Sequence, residues 1–268
     1  MKILSLFLFF STQLFAVCEF RPEIKNIYSL SGSVTVALKE LGLLNQSELK
    51  GISVFHPISE KEFSGEFLPG GVFLSYQKIN QLTGSTVFYD ESRELAKILD
   101  STRSIRGIQI KTRGLLPHEV IQTLNKTLAP FVRGCEAQFQ KLSQKILDLE
   151  NQLEKALKAP IAVVFFLGDF NRGRPAEFVI ANDGVVKLLV LHKKIISYPS
   201  SLAYVNWSAK VLKDMPNTTL LVGVSDSGKD LVKEIKRNGS KQMTLIYPGA
   251  LIPGLSQVEA WLYWAKSL

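Results

Sequence analysis

Short apolar runs and stretches with helical spacing take turns along most of the chain. Ile27–Leu30 reads as a strand, and the SVTVALKELG that follows reads as a helix stopped by Gly42. GISVF gives a second strand, YQKINQL a short helix and STVFY a third strand. SRELAKIL is helical and GIQI is a fourth strand. LPHEVIQTLNKTLAP then opens a helix, with Pro117 suited to its first turn. Alternation of this kind predicts an α/β fold with mainly parallel strands.

The middle of the chain breaks the rhythm. From Phe131 to Lys158 there is no strand signal. Leu142, Ile146, Leu149, Leu153 and Leu157 share one helical face. A single helix of about 27 residues would reach roughly 40 Å. A coiled coil would need three or four sustained heptads, which this segment barely supplies. Pro160 closes the helix, and the alternation restarts. IAVVFFLG is a continuous apolar strand, as in a sheet covered on both faces. GVVKLLVL and WSAKVLK read as helices, TTLLVGV as a strand, KDLVKEIKRNG as a helix, MTLIY as a strand and SQVEAWLYWAKSL as a closing helix. The pattern predicts two lobes with a long helix between them.

LLVGVSDSGKDLVKEI, Leu220 to Ile235, looks like a phosphate-binding loop between a strand and a helix. Asp230 stands where a magnesium-binding hydroxyl belongs, and Asp226 adds further negative charge. A polar turn whose Asp226 or Ser227 caps the next helix is the simpler reading. The rest of the chain shows no Gly-x-Ser-x-Gly elbow, no His-Glu-x-x-His and no Gly-x-Gly-x-x-Gly after a strand. The histidines, His56, His118 and His192, form no recognisable pair with a nucleophile. No enzyme activity, cofactor or metal site is expected.

The 268 residues are 46% hydrophobic and 21% charged, enough apolar material for a large core. The net charge of +8 is dispersed rather than blocked, and no nucleic-acid-binding pattern is present. MKILSLFLFFSTQLFAVCEF has the three-part plan of a secretory signal peptide, with cleavage expected after Ala16. A membrane anchor is an alternative, although the run is short. Lipoprotein processing at Cys18 is another, although Val17 is a poor residue before it. An exported chain matures where disulfides persist. Cys18 and Cys135 either form one bridge or remain two free thiols.

The order of these segments resembles the helical-backbone class of periplasmic substrate-binding proteins, which serve ABC importers of ferric siderophores, haem and cobalamin. NIYSLSGSVTVALKELGL is similar to the family's opening strand and helix, with Ser31 and Thr35 at matching places. FHPI, GGVFLSYQKINQLTGSTVFYDES, TLAPF, IAVVFFLG, WSAKVLKDMPNTTLLVGVS and YPGALIPGLSQVEAWLYWAKSL follow in the family's order. The resemblance covers essentially all of the chain after residue 16. It implies two Rossmann-like lobes joined by one long backbone helix, with a ligand cleft between them. The expected divisions are a signal peptide at 1–16, a first lobe at 17–116, connecting helices at 117–159 and a second lobe at 160–268.

On this resemblance the chain is an exported, periplasmic and monomeric protein that captures a metal complex for an ABC permease. The ligand-binding candidates are Ser31, His56 and Phe73 in the first lobe. In the second lobe they are Phe170, Arg172, Arg174, Tyr198, Trp207 and Tyr247. The family's permease-docking acids are replaced by Gln77 and Ala209. That replacement opens a second reading, a periplasmic interaction or sensory domain that kept the fold and lost transport.

Overall fold

The structure is a computed structural model. It describes residues 17–54, 58–69, 76–102, 104–167, 178–206, 214–216, 220–223, 243–245 and 248–268. The expected signal peptide at 1–16 and the lysine-containing turn at 224–230 lie outside the described residues.

The first half carries β1 (Glu19–Phe20), β2 (Ile27–Ser29), α1 (Gly32–Glu40), β3 (Leu49–Ser53) and β4 (Glu66–Leu68). It continues with α2 (Tyr76–Gln81), β5 (Thr86–Asp90), α3 (Arg93–Ser101), β6 (Arg106–Ile110) and α4 (Pro117–Leu128). Five strands form a parallel sheet in the order β4-β3-β2-β5-β6. Local chemistry sets the helix limits. Ser31 caps α1 by accepting the Val34 N–H at 3.3 Å, and Gly42 ends the turn beyond it with φ +76°. Ser92 caps α3 through the Leu95 N–H at 3.2 Å.

The junction differs from the expected uninterrupted helix over 131–158. A two-residue strand, β7 (Val132–Arg133), comes first and pairs antiparallel with β1. Its partner is brought from far away in sequence by a disulfide between Cys18 and Cys135, 117 positions apart. Both cysteines are buried. The helix α5 (Glu136–Ala156) then runs for 21 residues, about 32 Å. It buries Leu142, Ile146, Glu150 and Leu153, and packs on α4.

The second half contains β8 (Ile161–Leu167), β9 (Phe178–Ile180), α6 (Gly184–Leu191), β10 (Ile195–Ile196) and β11 (Tyr204–Asn206). After them come β12 (Leu220–Gly223), β13 (Met243–Leu245), a 3-10 turn over Pro248–Leu251, and α7 (Leu255–Ser267). Their sheet runs β11-β9-β8-β12-β13, with β10 beside the start of β8. β8, β12 and β13 are parallel, but β9 is antiparallel to both of its neighbours. Mainly parallel pairing therefore holds, with β9 as a local exception.

One continuous core includes side chains from both halves. Val34 and Leu38 of α1, Leu124 of α4, Ile146 of α5, Val185 of α6 and Trp261 of α7 all belong to it. At its centre, Phe165 of β8 contacts the rings of Trp261 and Trp264, with centroids 4.0 and 5.8 Å away. A second cluster lies under α2 and α3 and includes Leu68, Ile79, Val87 and Leu99. The first sheet is thus covered on both faces, as its run of buried β5 side chains requires. Lys145 of α5 reaches Glu40 of α1 at 3.0 Å and Glu259 of α7 at 3.3 Å, which ties both halves to the same helix.

Candidate functional site

In an open parallel sheet, ligands gather beyond the carboxyl ends of the strands, where the strand order reverses. In the first sheet that point lies between β2 and β5, because the chain goes from β2 toward β3 and β4 on one side and toward β6 on the other. Ser31 follows β2 and Asp90 ends β5. The Ser31 hydroxyl donates to Asp90 Oδ1 at 2.6 Å, so the two strands are joined by side chains at the reversal. Ser31 is fully buried. Burial pushes the Asp90 carboxyl up, against the pull of hydrogen bonds from Ser31 and the Gly32 N–H.

The same edge carries Glu91 and Arg113. Glu91 Oε2 is buried with no hydrogen-bond partner, and the Arg113 guanidinium stands 4.0 Å from it. The Arg113 side chain is 64% exposed, and its charge favours the ionised forms of Asp90 and Asp183. The segment after β6 is then held by the second half. Asp183, at the head of α6, accepts the Gly114 N–H at 2.7 Å and the Tyr204 hydroxyl. Lys187 donates to the Gly114 carbonyl at 2.6 Å, and the Gly184 N–H to the Leu115 carbonyl at 3.1 Å.

Burial raises the Asp183 carboxyl despite these donors. Burial and the adjoining Asp183 raise the Tyr204 phenol, so the hydroxyl stays protonated and serves as a donor. Gly184 has φ +47°, and a Cβ there would collide with the Gln257 side chain of α7. The positive φ therefore favours glycine where α6 starts.

The Ser31–Asp90–Glu91–Arg113 edge and the Asp183–Tyr204 pair form one polar band between the halves. It offers an exposed guanidinium ion-paired with Glu91, a carboxylate oxygen that accepts no hydrogen bond, and a phenol fixed by Asp183. This set suits recognition of a polar ligand group. His118 and His192 contact Glu150 and Glu154 of α5, each at 3.0 Å, and serve helix packing. Among the described residues no three His, Cys, Asp or Glu side chains converge as metal ligands.

Of the residues expected from sequence, Ser31 is at this band. Tyr198 is partly buried and lies two residues beyond β10, whose register is with the first two residues of β8. His56, Phe73, Phe170, Arg172, Arg174, Trp207 and Tyr247 lie outside the described residues. Gln77 is exposed on α2, and Ala209 lies outside the described residues. Sequence reasoning missed Asp90, Glu91, Arg113, Asp183 and Tyr204. A signal existed for two of them: Asp90 closes an apolar strand, and Asp183 precedes a glycine at a helix start.

No protein-family model matches the sequence, and no curated protein matches it. Solved structures do. The periplasmic heme-binding protein HutB of Vibrio cholerae superposes with a TM-score of 0.66 at 17% identity, over 91% of this chain and 98% of that one. The heme-binding protein RhuT of Roseiflexus sp. RS-1 gives 0.65 at 15% identity, over 90% and 97%. An ABC transporter substrate-binding protein of Listeria monocytogenes gives 0.63 at 15%, over 91% and 98%. This is the fold of the periplasmic binding proteins. The likeness spans both sheets of the chain.

Proposed function

We propose that the chain is an exported solute-binding protein that captures a haem-type metal complex between its lobes and delivers it to an ABC importer. The supporting observation is likeness across both halves to proteins that bind haem, over about nine-tenths of the chain. The lobes divide near residues 117 and 160. Arg113 joins Arg172 and Arg174 as the cations that meet acidic groups of the ligand, and His56, Phe73, Phe170, Trp207 and Tyr247 supply the cleft walls. Ferric siderophores and cobalamin are the other complexes to test. No covalent chemistry is assigned to the protein.

The Cys18–Cys135 bridge fits an oxidising compartment. It also leaves Cys18 without a thiol to carry a lipid thioether, which supports a soluble periplasmic protein over lipoprotein processing at that residue. The interaction-domain reading draws only on Gln77 and Ala209, and the similar solved structures are solute-binding proteins.

The test is a titration of the purified protein with hemin, a ferric siderophore and cobalamin, followed by tryptophan fluorescence and by the hemin absorption band. Saturable binding of hemin tighter than about 10 µM, roughly −7 kcal/mol, is expected. Binding of none of the three at that level would overturn the transport reading.

A further inference from the structure

Opposite the switch point, at the amino-terminal edge of the first sheet, a cavity of about 530 Å³ opens between the segments entering β2, β5 and β6. Lys25, Arg106, Thr86, Ser104 and Glu23 contribute to its lining. Several backbone donors here are already committed. The Gly84 N–H reaches the Ser104 carbonyl at 2.9 Å, the Arg106 N–H the Ser85 carbonyl at 2.9 Å, and the Thr86 N–H the Asn26 carbonyl at 3.1 Å. The Ser85 hydroxyl serves the Leu82 carbonyl.

Side-chain donors remain: the Lys25 ammonium, the Arg106 guanidinium, and the hydroxyls of Thr86 and Ser104. Thr86 and Arg106 are register partners on adjacent strands, which fixes their separation. The Arg106 guanidinium rests over the Phe131 ring, 4.9 Å from its centroid. That contact steadies the cation without neutralising it. The pocket is open to solvent, so a small anion can reach it.

We propose that this cavity binds a monohydrogen phosphate group. The two cations and two hydroxyls take its anionic oxygens, and the Glu23 carboxylate accepts its one P–OH. Sulfate has the same shape but no proton to donate near neutral pH, so it sets an oxygen against Glu23. Glu23 therefore makes the site selective for phosphate over sulfate.

The experiment is titration of the purified protein with inorganic phosphate and with sulfate, by calorimetry and by phosphorus NMR line width. Wild type, R106Q, K25Q and E23Q are compared, with circular dichroism to verify folding. Phosphate should bind saturably and about tenfold or more tighter than sulfate. R106Q and K25Q should each weaken phosphate about tenfold, the loss of one charge-assisted hydrogen bond. E23Q should narrow the preference by letting sulfate in. Unsaturable phosphate binding, equal binding of phosphate and sulfate, or affinity unchanged in folded R106Q and K25Q would each overturn the assignment.

Discussion

Asp183 holds the backbone of Gly114 across 69 positions of sequence, at 2.7 Å. The same carboxylate receives the Tyr204 hydroxyl. Two donors from different parts of the molecule thus depend on one side chain that is 2% exposed. Asp183→Ala strands both donors away from water and should cost about 2–4 kcal/mol. Asp183→Asn keeps one acceptor oxygen and should cost less. Thermal unfolding should rank wild type above D183N and D183N above D183A. Equal midpoints for all three would show that the contact does not hold the halves together.

Acidity should act on stability in an unusual direction. Burial raises the carboxyls of Asp90, Glu150 and Asp183 above their ordinary values of 3.8, 4.5 and 3.8. Between each raised value and the ordinary one, the folded protein holds a proton that the unfolded chain has released. Stability from these groups therefore grows as pH falls into that window, and levels off below the ordinary value. Glu62 works the other way. A hydrogen bond from Lys39 is the main cause that pulls it down to about 2, so its contribution fades as pH drops from 4.5. Urea unfolding at a series of pH values should show a maximum on the mildly acidic side. Replacing the three buried acids with their amides should flatten the rise.

The bridge between Cys18 and Cys135 closes a long loop in the unfolded chain. Loop-closure entropy for a separation of 117 corresponds to about 4–5 kcal/mol. The double change C18S/C135S, or reduction of the wild type, should lower the denaturant midpoint accordingly. Reductant should leave the double variant unaffected, which separates loss of the bridge from other effects of reduction.

Trp261 is fully buried against Phe165 and Trp264. Trp261→Ala removes the largest side chain at the meeting point of β8 and α7, and should cost about 3–5 kcal/mol. Calorimetry should show the whole protein melting earlier in one transition, since the core runs through both halves. Two separated transitions in the variant would mean that the halves hold together elsewhere.

Much of the architecture was readable from residue order because the relevant forces are local. GVVKLLVL coincides with α6, and Ser31 and Gly42 mark the two ends of α1. β1 and β7 were not readable. Two residues carry no periodicity, and the pairing exists because a disulfide 117 positions long brings the partners together. β9 escaped the parallel expectation because three residues do not reveal their direction.

Glu150 sits on the buried face of α5, where an apolar residue is expected. It is held there by the His118 N–H at 2.9 Å and by the His118 ring. That partner is on another helix, so no spacing rule could find it. For Asp90 and Asp183 the sequence marks a strand end and a helix start, but their partners lie 59 and 69 residues away, so the contacts themselves show only in the fold. Ser31 is legible in the sequence through its place after the first strand and its match to the family's opening pattern; its role as the cap of α1 shows in the structure. Its second task, joining β2 to β5, came only with the sheet order.

Lys145 reaches one acid on α1 and another on α7, and the apolar interior beneath it belongs to both halves. A body built this way has little freedom to open and shut like a jaw. On the proposed import role, a permease would recognise the loaded protein by the ligand at the mouth of the cleft, because a body tied together in this way would change its outline little on binding.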